Sequence, residues 1–195
     1  GAMKRLIDER RQKPYRSDAD VLVVYDTRSF AHTGSLMNSD PVSNTLVDYT
    51  SLAAFRSGVV FDPVHLDDLE SMDLSQYGVV LFGNTFVLSP RQREFVAKRV
   101  ATGGRTIIWN YAPGYSDGEN LSTDALSSCT GITLAEFATD SIPTIRFEAG
   151  ESSATYRVGS APFGPLFQVK DPGAESHGRY ATGEVAIARK KFADH

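Results

Sequence analysis

The amino-acid sequence predicts an α/β fold, a doubly wound parallel sheet followed by a β-rich C-terminal elaboration. Three observations carry that expectation. Continuous apolar runs lie at residues 21–25, where the run is β-branched, and 77–82, the pattern of strands covered on both faces, and residues 106–111 read as a further strand. Stretches with helical spacing, bounded by capping residues and glycines, lie between them. After Tyr111 the pattern changes to short segments separated by Pro and Gly, the signature of antiparallel strands.

Residues 4–20 are polar, rich in Arg and Asp, and contain Pro14; they read as a linker or as a helix tail arriving from a preceding domain. Gly1-Ala2-Met3 reads as the remnant of a cleaved expression tag. Val21-Leu22-Val23-Val24-Tyr25 is the first strand, closed by Asp26, and residues 27–39 read as a long polar loop. Asp40-Pro41 offers an N-cap with proline at the first helical position. Val42, Leu46, Tyr49, Leu52 and Ala53 follow at helical spacing up to Gly58. Residues 59–62 are a short second strand, and residues 67–72 a single helical turn. The third strand, residues 77–82, stops at Gly83-Asn84. Ser89-Pro90-Arg91-Gln92 is a capping box opening a helix with Phe95, Val96 and Val100 on one face. Gly103-Gly104 ends it, and residues 106–111 form the fourth strand. This strand–helix alternation produces right-handed crossovers and a parallel sheet.

Beyond Tyr111, residues 122–129 predict a short helix ended by Gly131. Residues 132–137, 144–147, 155–158, 166–169 and 185–188 predict strands decorating the sheet's edge or forming a β-rich lobe. The expected organisation is a linker over residues 1–18 and one domain over 19–195, with 132–195 as the edge extension.

Composition narrows the function. The chain has 195 residues, 41% hydrophobic and 23% charged, with formal net charge −4, the balance of a globular domain able to bury a core. Basic and acidic residues are interspersed, and the one basic cluster lies in the 4–16 segment, so nucleic acid is not an expected partner. No apolar run approaches the ~20 residues needed to span a bilayer, so no membrane partner is expected either. Nothing sets the compartment. The single cysteine, Cys129, rules out an internal disulfide framework and a cysteine-based metal cluster.

In an open α/β sheet, ligands sit at the carboxyl ends of the strands. That edge offers His32, Asn84 and the 110–115 turn. Gly34 and Gly83 are isolated and Gly103-Gly104 lies at the wrong end, so no nucleotide loop is present and no cofactor or metal is expected. Asn110-Tyr111-Ala112 holds no activated thiol or serine where a nucleophile would sit. Cys129 reads as a small buried thiol, His65 as packing near the second strand's exit, and His177 as lying in a Gly/Pro-rich loop. Asp67, Asp68 and Glu70 read as a solvated face. Trp109 and Tyr111 are either core aromatics or, with Tyr115, the lining of a sugar-sized groove. The candidate ligand-binding residues are therefore His32, Asn84, Trp109, Tyr111 and Tyr115, with no catalytic residue assigned.

A family resemblance rests on ordered pieces of the chain: Val21-Leu22-Val23-Val24-Tyr25-Asp26, Phe61-Asp62, Leu66-Asp67-Asp68-Leu69, Asp73-Leu74-Ser75-Gln76-Tyr77 and Val79-Val80-Leu81-Phe82. It continues in the run from Gly103 through Trp109-Asn110-Tyr111 to Tyr115, and in Leu126-Ser127-Ser128-Cys129-Thr130-Gly131-Ile132. Over residues 19–132 the chain resembles the glutamine-amidotransferase-like domain of β-galactosidases and related glycoside hydrolases, often called the β-galactosidase trimerisation domain. The resemblance implies a flavodoxin-like fold of the class I amidotransferase type. It also implies a place downstream of a catalytic barrel in the same parent chain, and a non-catalytic role in assembling a homo-oligomer. In true amidotransferases a cysteine occupies the turn after the strand matched here by residues 106–110; this chain has Tyr111-Ala112, so that chemistry is not carried over. The family continues past residues 185–189, so an end at His195 reads as that of an excised piece. Carbohydrate binding by the carboxyl-edge aromatics is the alternative function, and a hydrolase with an unrecognised site is the third.

Overall fold

The computed structural model describes residues 2–11, 17–33, 42, 44–149, 152–159 and 161–193. Helix α1 spans Ala2–Arg11, and strand β1, Val21–Tyr25, starts the first sheet. Four strands form that sheet in the order β2-β1-β3-β4, with β2 at Phe61–His65, β3 at Val79–Phe82 and β4 at Thr106–Trp109. All three pairings are parallel. The register aligns Val24 with Val64 and Phe82, and Phe82 with Trp109, so Leu22, Val24, Val80, Phe82, Ile107 and Trp109 share one face. That face packs on Leu66 and Leu69 of a 3₁₀ turn (Leu66–Ser71) and on Val96 and Val100. Leu22, Val24, Val80 and Phe82 lose all solvent contact there, each contributing about 1.5–3 kcal/mol of hydrophobic burial.

The capping box forms. Ser89 Oγ accepts from Gln92 N–H at 3.3 Å, and Gln92 Oε1 accepts from Ser89 N–H at 3.0 Å. It opens α4, Pro90–Phe95, which runs on through a π-helical segment, Val96–Val100. The opposite sheet face carries π-helical turns at Asn44–Tyr49 and helix α3, Thr50–Ser57. Tyr25 Oη and Ser51 Oγ are hydrogen-bonded at 2.7 Å, and Phe55 packs on Phe61 with centroids 5.0 Å apart. Cover here is incomplete: Tyr49, Leu52 and Phe55 are 64%, 41% and 71% exposed, and Ile108 of β4 is 46% exposed. Burial on both faces, expected of continuous apolar runs, is reached at the centre of β1 but not at Ile108.

Several elements differ from the sequence expectation. Residues 27–33 are not loop but helix α2, Thr27–Thr33. Asp26 caps it, its carboxylate accepting from the N–H groups of Arg28 at 3.4 Å and Ser29 at 3.0 Å. Strand β2 starts at Phe61, not Val59, and includes Pro63, which an edge strand tolerates because one side of its main chain has no partner strand. Strand β4 ends at Trp109, and Tyr111 instead takes a left-handed backbone, φ +59°. Asp40-Pro41, Gly34 and His195 lie outside the described residues.

After α5, Thr123–Thr130, the chain forms two further sheets. Strands β5 (Leu134–Phe137) and β8 (Leu166–Val169) pair antiparallel. The second sheet has the order β10-β9-β6-β7, with β6 at Thr144–Ala149, β7 at Ser152–Arg157, β9 at Glu175–Tyr180 and β10 at Val185–Arg189. These strands do not extend the parallel sheet. Strand β9 falls where a loop was expected and carries His177; its polar sequence shows no alternation, yet it is paired on both sides. The fold is thus mixed α/β, one parallel sheet with separate antiparallel sheets.

Candidate functional site

The carboxyl end of the parallel sheet is built by a relay of buried polar groups. Asp26 is fully buried at the exit of β1. Ser29 Oγ donates to Asp26 Oδ2 at 2.7 Å and accepts from Val87 N–H at 2.9 Å. Buried carboxylates and hydroxyls need such partners to offset lost hydration, and here satisfying them positions the segment after β3. Gly83 allows the close approach, since a Cβ there would meet the Tyr25 ring at 3.0 Å. Residues 84–88 are all buried and are laced to the turn after β4: Gly114 N–H donates to Thr85 C=O, Ser116 N–H to Phe86 C=O, and Leu88 N–H to Ser116 C=O.

This lacing stands Phe86 at the base of a cavity of about 330 Å³, walled by His32, Tyr111, Tyr115, Ser116 and Glu119. The rings of Phe86 and Tyr111 lie within 16° of parallel with centroids 6.3 Å apart, and Tyr115 meets Phe86 edge-on at 5.7 Å. Phe167 of β8 packs on Tyr111 at 5.8 Å and on Tyr115 at 4.9 Å, so the same cluster ties the antiparallel part to the parallel sheet. Both tyrosine hydroxyls are engaged within the protein. Tyr111 Oη donates to Pro165 C=O at 2.6 Å, and Tyr115 Oη donates to Glu136 Oε2 at 2.8 Å. Burial first, then the Glu136 carboxylate, holds the Tyr115 hydroxyl above its ordinary pKa.

Tyr111 keeps its left-handed backbone against a cost of roughly 1–2 kcal/mol. Its hydroxyl bond, worth about 1 kcal/mol, and ring contacts with Phe86, Phe163 and Phe167, each worth about 0.5–1.5 kcal/mol, together outweigh it.

The structure gathers three of the five residues singled out from sequence, His32, Tyr111 and Tyr115, around this cavity. The other two lie elsewhere. Trp109 stacks on Phe82 at 4.4 Å in the first hydrophobic core. Asn84 is 3% exposed and spends its amide on the main chain of Asp26. Phe86, Ser116 and Glu119 were missed by sequence reasoning. Phe86 carried one usable signal, its place just past the Gly83-Asn84 exit of β3.

Chemically, the site offers aromatic faces and few polar groups. The Cys129 thiol does not line it, and burial pushes that thiol's pKa up to about 11, so it is protonated at neutral pH. Among the described residues no group of three or more His, Cys, Asp or Glu side chains is placed to hold a metal ion. No described helix is long and apolar enough to cross a membrane.

No family profile and no curated protein matches this sequence. Solved structures do share its fold. It is similar to a β-galactosidase from Bacillus circulans sp. alkalophilus at 20% identity and TM-score 0.63, covering 91% of this chain and 27% of that one. A β-galactosidase from Rahnella sp. R3 matches at 18% identity and TM-score 0.63, over 90% and 27%. An exo-β-1,4-mannosidase from Opitutaceae bacterium strain TAV5 matches at 14% identity and TM-score 0.60, over 97% and 31%. The chain thus spans about a quarter to a third of the length of these glycoside hydrolases, and what it shares with them is the fold of that portion.

Proposed function

We propose that this chain is a non-catalytic accessory domain, flavodoxin-like and amidotransferase-like in scaffold, that helps assemble the subunits of a β-galactosidase-like glycoside hydrolase. The observation that carries the reading is the turn after β4, where a nucleophile would stand in a catalytic relative of this fold. The residue there, Tyr111, has its hydroxyl tied to Pro165 C=O and its ring packed among Phe86, Phe163 and Phe167. Supporting the assembly role, Tyr49, Leu52 and Phe55 form an exposed stripe at intervals of three residues, followed by exposed Val59 and Val60. Exposed apolar side chains grouped along one helix in this way suit a contact face. The fold likeness to portions of three glycoside hydrolases supports the parent's class, with a catalytic barrel in the same chain as the domain's first partner.

Sedimentation velocity of the full-length parent hydrolase tests the assembly role, comparing wild type with Leu52→Glu/Phe55→Glu. The expected result is an oligomer, the trimer being the family's form, that the double variant dissociates. A parent that sediments as a monomer, or an oligomer indifferent to the substitutions, overturns the reading.

A further inference from the structure

The cavity at the carboxyl edge has walls and a rim of different chemistry. Its walls are ring faces, because the hydroxyls of Tyr111 and Tyr115 are already bonded to Pro165 and Glu136. Its rim is polar. Ser116 Oγ accepts from Gly118 N–H at 3.0 Å and keeps its own proton to donate. Among the described residues, neither the His32 imidazole nor the Glu119 carboxylate has a hydrogen-bond partner. A volume of about 330 Å³ lies at the small end of the range for small-molecule sites, roughly 300–1,000 Å³.

We infer that this cavity is a carbohydrate subsite that takes one neutral pyranose ring. A pyranose has a face of C–H groups, whose slight positive charge suits the negative face of an aromatic ring, and a perimeter of hydroxyls. Phe86, Tyr111 and Tyr115 line the cavity together and give it the apolar aromatic surface that the C–H face of a pyranose needs. The carboxylate of Glu119 accepts sugar hydroxyls, the imidazole of His32 accepts or donates, and Ser116 donates, the few placed polar groups that fix orientation in such sites. Glu119 also repels phosphorylated and carboxylated ligands. A cation would use Glu119 too, and the tetramethylammonium arm of the test below separates the two ligands. The left-handed backbone at Tyr111 adds to the case: a strained non-glycine residue is held where its ring forms this wall, and such outliers concentrate at ligand sites. The inference stands apart from the assembly role and holds whether or not the domain oligomerises.

The test is a titration of the 195-residue chain, labelled with nitrogen-15, with the methyl glycosides of glucose, galactose and mannose, followed by amide chemical shifts. The expected result is saturable shifts at residues 115–119 and at His32 for at least one glycoside, with Kd of about 1–10 mM. Phe86→Ala removes part of the aromatic cluster with Tyr111, Tyr115 and Phe167 and can unfold the chain, so Glu119→Gln and His32→Ala, both at exposed positions, are the deciding variants. Each is expected to weaken binding by about fivefold or more. Three results overturn the inference: no saturable shift up to about 100 mM of any of the three glycosides, binding that neither variant weakens, or saturation by tetramethylammonium where no glycoside saturates.

Discussion

Asn84 clamps the two central strands of the parallel sheet together by gripping both main-chain groups of Asp26. Its Oδ1 accepts from Asp26 N–H and its Nδ2 donates to Asp26 C=O, each at 2.8 Å. The clamp is buried, so water cannot replace it. Replacing the side chain orphans a buried donor and a buried acceptor, each costing roughly 1–3 kcal/mol. Asn84→Ala is therefore expected to destabilise the chain by about 2–4 kcal/mol, read as a fall in urea midpoint at unchanged slope. A loss under about 0.5 kcal/mol would show that the clamp is dispensable.

Tyr111 separates strain from packing. Tyr111→Phe removes the bond to Pro165 C=O while keeping the ring, and is expected to cost about 1 kcal/mol, allowing for the carbonyl left behind. Tyr111→Gly relieves the left-handed backbone but loses the ring, and large-to-small core substitutions cost about 3–5 kcal/mol. Net destabilisation of roughly 1–4 kcal/mol is expected for the glycine variant once about 1–2 kcal/mol of strain is returned. If Tyr111→Gly proved more stable than wild type in thermal unfolding, the contacts assigned to this ring would be wrong.

Cys129 should be unreactive in the folded chain. Burial raises its pKa to about 11, against a smaller opposing effect of the Arg93 charge, and the thiolate is the reactive form. Incubation with iodoacetamide at about pH 8 is expected to leave the native chain almost unmodified and to alkylate the urea-unfolded chain fully, as read by intact mass. Rapid labelling of native protein would contradict this placement of the thiol.

Acid sensitivity should trace in part to Asp171. Lys190 Nζ donates to Asp171 Oδ2 at 2.7 Å, and the N–H groups of Thr133 and Gly173 donate at 3.1 and 2.9 Å. The Lys190 bond is the chief reason its pKa falls to about 2, from an ordinary value of 3.8. Because the folded value is the lower one, the unfolded chain takes up this proton first as pH falls. The stability contributed is complete above about pH 4 and is lost on the way down to about pH 2. Urea midpoints of wild type and Lys190→Met, at about pH 7 and about pH 2.5, test the sign. The variant should lose stability mainly at the higher pH, and an equal loss at both would remove Asp171 from the account.

Where local chemistry alone decides a conformation, the sequence was readable. Leu22, Val23 and Val24 are consecutive apolar residues buried on alternating sides, which only a strand near the middle of a sheet permits. The Ser89/Gln92 box and the left-handed helix ends at Gly58 and Gly131 formed where their residue types called for them. Helix α2 was not legible because Thr27–Thr33 has weak helical propensity, and its partners, above all Val87 N–H on Ser29, lie 58 residues away. Strand β9 was hidden for a similar reason. Gly178 gives it no apolar signal, yet a Cβ there would crowd Arg146 C=O at 3.2 Å, so the tight packing that suits glycine also removes the signal. Around the cavity, His32, Tyr111 and Tyr115 could be chosen because strand ends are readable. Glu119 could not, because only the Asx-type turn at Asp117, whose Oδ1 accepts from Glu119 and Asn120 N–H, brings it to the rim.

Pro63 has a consequence for how copies of this chain can meet. It sits inside β2, the outermost strand on that side of the parallel sheet, opposite Val23. A strand docking alongside from another molecule needs an unbroken row of N–H donors, and proline interrupts that row. Continuous edge-to-edge growth of the sheet, the route by which open α/β sheets coalesce into aggregates, is therefore obstructed at β2. Under the proposed assembly role, association on this side would fall to the neighbouring helical surface, which buries side chains instead of extending a ladder and so can close on a fixed number of copies.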